Sequence, residues 1–273
     1  MKIAFIGGGN MAAALIAGLA NKLTDGANIH VVDPNADALG RLHKQYGVTT
    51  AAATDAAVQG ADVIVLAVKP QAMREVSAQL LPFIDAARQP LVVSIAAGIR
   101  GADLSRWLGG YGAIVRCMPN TPALIGMGIT GMVATAGVSP AQRQQADDIL
   151  SAVGQTVWLD REDQIDTITA LSGSGPAYVF YFIEAMQQAA EEMGLSAEQG
   201  KQLALATFAG AAQLATQSSE PAAVLRERVT SKGGTTFAAL TSMEASGVKA
   251  AIVAGIKAAQ ARSKELGDEM GAA

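Results

Sequence analysis

The stretch Ile3-Ala4-Phe5-Ile6-Gly7-Gly8-Gly9-Asn10-Met11-Ala12 constrains the fold more than any other part of the chain. Its four apolar residues read as a buried strand, the glycines break that strand, and Met11–Asn21 continues with helical spacing. Strand, glycine turn and helix in this order open a dinucleotide-binding fold. Gly7 permits the tight turn, Gly9 lets backbone approach a pyrophosphate, and Ala12 takes the small third position where helix packs on strand. Ile6, Gly7, Gly8, Gly9, Asn10 and Met11 are therefore candidate cofactor residues, because a helix N-terminus offers free amides and a positive dipole end to phosphates. The bland alternative is a set of glycines that only turns a corner.

The next apolar run, Ile29–Val32, ends in an acid, Asp33, 26 residues after Gly7. A carboxylate there can accept hydrogen bonds from the adenosine ribose hydroxyls and would repel a 2′-phosphate. No Lys or Arg stands between Asp33 and Arg41, which points to NADH. Asp33 has a second reading, as the N-cap of a helix that Pro34 begins, and the two roles can coexist.

Up to about residue 160, short Val- and Ile-rich runs (Ile3–Ile6, Ile29–Val32, Val63–Val68, Leu91–Ile95, Ala113–Cys117 and Thr156–Leu159) alternate with helical patterns. That alternation predicts βαβ units, a parallel sheet and right-handed crossovers. After it come long helical stretches, Tyr178–Met193, Ala197–Thr216 and Val248 to about Leu266. The expected architecture is a doubly wound α/β dinucleotide-binding domain, 1–160, followed by an all-helical domain, 161–273.

Composition narrows the function. Charged residues make up 16% of the chain, against about 25% in an average soluble protein, so a buried subunit interface is expected. Residues 1–160 are charge-balanced and the net charge of −4 belongs to the helical half, which argues against non-specific nucleic-acid binding. A single cysteine, Cys117, excludes a disulfide framework or a multi-cysteine metal site, and His30 and His43 leave little room for histidine chemistry. The uncharged run Ile3–Asn21 is interrupted by its glycines, and the uncharged run 117–142 by prolines and glycines, so neither reads as a membrane span or signal peptide. A reducing cytoplasm is the default expectation.

Further candidates fall where strands end, since ligands of open α/β sheets lie beyond the carboxyl ends of the strands. Ala67-Val68-Lys69-Pro70, Ser94-Ile95-Ala96-Ala97-Gly98 and Cys117-Met118-Pro119-Asn120-Thr121-Pro122 occupy such places. Lys69 could meet phosphate or ribose, or be a solvated lysine; Asn120 could bond the nicotinamide amide, or be a turn residue between prolines. In the helical half, Ser172-Gly173-Ser174-Gly175-Pro176 is expected to stop one helix and present amides before the next. In Val229-Thr230-Ser231-Lys232-Gly233-Gly234-Thr235-Thr236 the glycines free the backbone, and Thr235 or Thr236 is expected to cap a helix running to Glu244. Such a turn can hold a small carboxylate on backbone amides, or be a plain helix–loop–helix joint.

Taken together, these motifs resemble the pyrroline-5-carboxylate reductase family, nearly from end to end. The resemblance rests on Phe5–Ala12, Val68–Pro70, Ser94–Gly98, Met118–Pro122, Ser172–Tyr178 and, most specifically, Val229–Thr236 with Ala239-Leu240 and Met243-Glu244 behind it. It implies an N-terminal Rossmann domain, a helical C-terminal dimerisation domain interlocked with a second subunit, an active site shared across that homodimer, and often a ring of dimers. It also implies hydride transfer from NADPH or NADH to the C=N bond of 1-pyrroline-5-carboxylate, giving L-proline without a metal. Cofactor contacts would include Ala67, Val68, Lys69, Pro70, Ala96, Ala97 and Asn120. Ser174, Gly175, Gly233, Gly234, Thr235 and Thr236 would surround the substrate, with the Thr236 hydroxyl on the ring nitrogen. A β-hydroxyacid dehydrogenase, which carries a catalytic lysine on the first long helix of its second domain, is the nearer alternative, but Tyr178–Met193 has no lysine. The other is a cofactor-binding protein without turnover, which fold alone does not exclude.

Overall fold

The computed structural model of the chain describes residues 1–85 and 87–272. Met1–Ser174, joined by the chain from Ala259 onward, forms one compact unit, and Gly175–Ala258 forms a second. The first unit runs β1 (Ile3–Ile6), α1 (Asn10–Leu19), β2 (Ile29–Val32), α2 (Ala36–Tyr46), β3 (Thr49–Ala51), α3 (Ala56–Gln59), β4 (Val63–Leu66), α4 (Met73–Leu80), β5 (Leu91–Ser94), α5 (Gly101–Trp107), β6 (Ile114–Met118), β7 (Gly128–Ala134), α6 (Pro140–Ser151), β8 (Gly154–Trp158) and α7 (Gln164–Ile168). One sheet in the order β3-β2-β1-β4-β5-β6-β7-β8 holds them together.

Every residue of β1, β2, β4 and β5 is buried, which is why these strands read as continuous apolar runs rather than as alternation. Alternate residues feed two cores. Phe5 and Val65 pack with Leu15 and Ile16 of α1, while Ile6 and Ile64 pack with Met73 of α4 and Leu104 of α5. The order in which strands are added to the sheet reverses between β1 and β4, which are parallel neighbours, so the carboxyl ends of β1, β2 and β4 border the crevice where this topology accepts ligands.

The sheet is not wholly parallel, as the sequence had suggested: β7 runs antiparallel to β6 and parallel to β8. Two strands carry no local signal. Of β3, Thr49 and Thr50 are exposed, and β7 contains two glycines. Both glycines of β7 are places of close approach, since a Cβ on Gly131 would sit 2.7 Å from the Ile168 side chain and one on Gly128 2.9 Å from Ala123.

Arg116 of β6 is 4% exposed, and its Nη1 reaches Glu162 Oε1 at 3.1 Å. The same oxygen accepts the Gly101 N–H at 2.6 Å, at the start of α5. Glu162→Ala would strand a buried guanidinium and an amide together, so it should cost about 3 kcal/mol or more in urea unfolding. Glu162→Gln keeps an acceptor for Gly101 and should cost less. A loss below about 1 kcal/mol for the alanine variant, the level of an exposed pair, would show that the pair is not a structural strut.

The two compact units meet at Ser174/Gly175, and α7, which packs on β6 and β7, belongs to the first of them. The second unit contains α8 (Gly175–Glu192), α9 (Ala197–Gln217), α10 (Ala222–Arg228), α11 (Thr235–Ala245) and the start of α12 (Val248–Ala272). α8 and α9 cross closely at Gly200, where a Cβ would meet the Ala190 Cβ at 3.1 Å. The end of α12 belongs to the first unit. Ser263 Oγ donates to Asp166 (2.7 Å), Arg100 to Asp268 (2.7 Å) and Arg106 to the Gly271 carbonyl (2.7 Å). Among the described residues no single helix is long and apolar enough to cross a membrane; α11 and α12 together would be, but they bend by 53° at the break between them.

Candidate functional site

At the carboxyl ends of β1, β2 and β4 lies a cleft of about 340 Å3. Ile6, Gly7, Val32, Asp33, Pro34 and Val68 line one part of it, and Ala52–Thr54 with Glu75, Val76 and Gln79 of α4 the rest. Gly7 has φ +105°, and a Cβ there would sit 2.6 Å from the Ala67 carbonyl oxygen. No other residue fits, so the turn bends where β1 passes β4. Gly9 differs: its backbone is extended (φ −71°, ψ −175°) and a Cβ would meet nothing within 4 Å. Its smallness serves open space in front of α1, whose N-terminus no side chain caps. The first amides of a ten-residue helix therefore face that space, and the residues present fit the diphosphate of a dinucleotide. Asn10 is exposed and Met11 half-buried at this mouth.

Asp33 is held rigidly. Its Oδ2 accepts the Gly8 N–H at 2.7 Å, and its Oδ1 accepts the Asn35 N–H at 2.8 Å. The carboxylate thus ties the glycine turn to the end of β2. The helix-cap reading of Asp33 is corrected: α2 starts at Ala36, and Asn35 caps it by accepting the Ala38 N–H.

The other strand-end candidates separate by burial. Ala67 is the wall against Gly7. Lys69 is exposed, lies outside the cleft lining, and precedes a short 3-10 turn that Pro70 opens. Ala96 is buried and Ala97 exposed, on a loop that turns at Gly98 (φ +73°) beside Leu266 of α12. Asn120 is 9% exposed, and both ends of its amide are engaged within the unit. Oδ1 accepts the Ile129 N–H (3.0 Å), and Nδ2 donates to the Ser172 carbonyl (3.1 Å). The side chain joins β6 to β7. Burial pushes the Cys117 thiol far above its ordinary range, so it stays protonated.

The segment Ser172–Pro176 does not stop a helix, contrary to expectation. A wide π-helical turn, Thr169–Gly173, links α7 to α8, and the Ser174 N–H bonds the Thr169 carbonyl at 2.8 Å. Pro176 has no N–H, so the Ser172 carbonyl, four residues back, lacks its helical donor and Asn120 takes it instead. π-Turns of this kind occur frequently at functional sites. A Cβ on Gly173 would meet Met118 Cε at 2.6 Å, the end of a flexible side chain that can swing aside.

In the second unit, Gly233 has φ +73° and Gly234 is the N-cap of α11. Neither threonine caps the helix, a correction to the expectation: Thr235 and Thr236 are its first two residues, and no side chain caps it. Gly234 has ordinary extended dihedrals and a Cβ there would meet Ser231 Oγ at 2.5 Å, a hydroxyl that can rotate away, so it is the positive φ of Gly233 that favours glycine in this turn. The result is an uncapped N-terminus on an eleven-residue helix, with Thr235 exposed and Thr236 half-buried. That arrangement can hold an anion on its amides beside a hydroxyl.

Ala52–Thr54 and Glu75, Val76 and Gln79 escaped sequence reasoning. The first group follows an edge strand that carries no apolar signal. Glu75 and Gln79 are four apart on α4 and hydrogen-bonded to each other at 3.2 Å, a spacing that pattern reading could have placed on one helix face.

Comparison with known proteins agrees with this arrangement. A family model described as pyrroline-5-carboxylate reductase dimerisation matches residues 162–266, and one described as NADP oxidoreductase, coenzyme F420-dependent, matches residues 2–98. A pyrroline-5-carboxylate reductase of Pseudomonas aeruginosa is 48% identical over 270 residues, covering 99% of this chain and 98% of its own. Among solved structures, a pyrroline-5-carboxylate reductase from Coxiella burnetii superposes with a TM-score of 0.92 at 40% identity, covering 97% of this chain and 98% of its own. A pyrroline carboxylate reductase from Plasmodium falciparum with NADP bound superposes with a TM-score of 0.86 at 30% identity, covering 98% of both chains. With the glycine turn, the eight-stranded sheet and the Gly233–Thr236 cradle all in place, and relatives matched over nearly their whole length, the chain belongs to the pyrroline-5-carboxylate reductase family.

Proposed function

We infer that the chain reduces the C=N bond of 1-pyrroline-5-carboxylate to give L-proline, using NADPH or NADH. The observation that carries this reading is the uncapped start of α11 behind Gly233 and Gly234, on a chain that also bears an uncapped glycine turn at Gly7–Asn10. When bound, the reduced nicotinamide supplies the hydride. The chain supplies binding and orientation: amides of Gly9, Asn10 and Met11 hold the diphosphate, and Ile6, Val68 and Ala97 border the cofactor. Amides at Gly233–Thr236 hold the substrate carboxylate, and Ser174 and Gly175 shape its surroundings. The Thr236 hydroxyl hydrogen-bonds the ring nitrogen. A protonated imine is already a good electrophile, so a hydroxyl needs only to position that nitrogen and relay its proton. Cofactor oxidation followed at 340 nm with the cyclic imine, against the same enzyme with a 3-hydroxy acid and oxidised cofactor, tests the reading. Turnover with the hydroxy acid alone would replace it by the dehydrogenase alternative.

The working unit in this reading is a homodimer, which can assemble further into a ring, in the cytoplasm, with residues 161–273 as the dimerisation domain. Within the second unit, Phe180, Tyr181, Leu203, Leu214 and Met243 are each more than half exposed, and α10 and α11 bury no residue. An apolar cleft of about 390 Å3 between α8 and α12 adds to that surface. So much uncovered apolar area calls for a partner, and a second copy is the partner that the low charge of the whole chain anticipates. Light scattering at assay concentration should give at least a dimer; a fully active monomer would overturn this part of the proposal.

A further inference from the structure

We propose that the cleft at the end of β2 selects NADH over NADPH, with Asp33 and Glu75 as the specificity-determining residues. The proposal rests on the reductase reading for the reaction, but its argument concerns only the adenosine end of the cofactor. Two carboxylates, Asp33 and Glu75, line the cleft, and no Lys or Arg does. Lys69 and Arg74, each next in sequence to a lining residue, lie outside it, as does Arg41 of α2. A 2′-phosphate brings a charge of about −1.5 to −2 at neutral pH and needs cationic or amide donors. This cleft offers it two negative charges.

Asp33 also cannot turn away. Both carboxylate oxygens are pinned by backbone amides, from Gly8 at 2.7 Å and from Asn35 at 2.8 Å. Each oxygen keeps a further lone pair for a ribose hydroxyl, because an ionised carboxylate has about four acceptor sites. The group is thus pre-organised to accept from a 2′-OH and cannot relax away from a 2′-phosphate without breaking the bond that sets the glycine turn. Glu75, on α4, adds to the negative field; its side chain is exposed and accepts a hydrogen bond from Gln79 at 3.2 Å.

NADH and NADPH differ only by that phosphate, so their binding to the substrate-free enzyme, measured by calorimetry, isolates the effect. NADH should bind at least about tenfold more tightly, a difference of about 1.4 kcal/mol. The gap should narrow as salt rises and screening weakens the repulsion. Glu75→Gln should narrow it modestly, Asp33→Asn more, and the double variant most. The kcat/KM ratio with the cyclic imine should follow, chiefly through KM. Equal or tighter NADPH binding by the unaltered enzyme would overturn the proposal. So would a gap that survives in a double variant of normal melting temperature, or the loss of all dinucleotide binding in the unaltered chain. If NADH binds selectively but no imine is reduced with either cofactor, the reductase reading falls and the selectivity stands. If the imine is reduced with NADPH preferred, the reverse holds.

Discussion

Gly7→Val is expected to abolish dinucleotide binding and to destabilise the first unit. Two penalties act together. At φ +105° any L side chain is strained, and a β-branched one more so than most. A Cβ would also lie 2.6 Å from the carbonyl oxygen of Ala67 and 2.8 Å from its carbon, both backbone atoms in the central part of the sheet. Strain of this kind costs about 1–3 kcal/mol before the clash is counted, so β1 and β4 must part at their carboxyl ends. The Asp33–Gly8 bond should break with them, because Gly8 follows directly in the chain. Calorimetric binding of NADH should weaken more than about a hundredfold, with a lower melting temperature. Gly9→Ala supplies the contrast. Its backbone is ordinary and a Cβ meets nothing, so folding should be normal while the methyl group fills the space in front of α1. If Gly9→Ala bound NADH as tightly as the unaltered chain, the diphosphate would not lie where this reading puts it.

Thr236→Val should leave folding and NADH binding nearly intact and slow hydride transfer. The change keeps the shape of a side chain that caps nothing, since Gly234 is the cap. What disappears is a hydrogen bond to the reacting nitrogen, worth about 1–3 kcal/mol in a closed site, so single-turnover rates should fall about ten- to a hundredfold. A complete loss would mean that the hydroxyl is an obligate acid. Thr235→Val checks the register: Thr235 is the exposed first residue of α11 and Thr236 the half-buried second. A slowed Thr235→Val beside a normal Thr236→Val would shift the assignment by one residue. Normal rates in both would leave the nitrogen to be protonated by solvent.

The cofactor end of the molecule was readable from local pattern. Ile3–Ile6 and Ile29–Val32 are strands with the bounds that their apolar runs indicate, and Gly7 turns at positive φ as the motif requires. The helical half was readable as helices but not at their junctions. Ser-Gly-Ser-Gly-Pro has the composition of a break, yet the backbone stays helical through it. The π-turn absorbs the missing proline N–H, and Asn120, 52 residues earlier in the chain, accounts for the carbonyl left over. No local rule contains that partner.

Apolar periodicity and glycine placement settled the dinucleotide fold, because each expresses a demand of the local backbone, an all-buried strand or a positive φ; the family was legible only through the resemblance of the longer motifs, above all Val229–Thr236. Other features depended on which distant groups meet in space. β7 pairs despite two glycines, because β6 and β8 flank it and the Ile168 side chain leaves no room for a Cβ on Gly131. The end of α12 joins the first unit because Asp166, Arg100 and Arg106 bond it there. Asp33 became a pinned carboxylate rather than a helix cap because the Gly8 amide lies 2.7 Å away, across 25 residues of chain. Periodicity reports how a segment folds against an unspecified neighbour; only the packed structure specifies the neighbour, and here the Gly8 amide fixes the orientation of a carboxylate that lines the cleft.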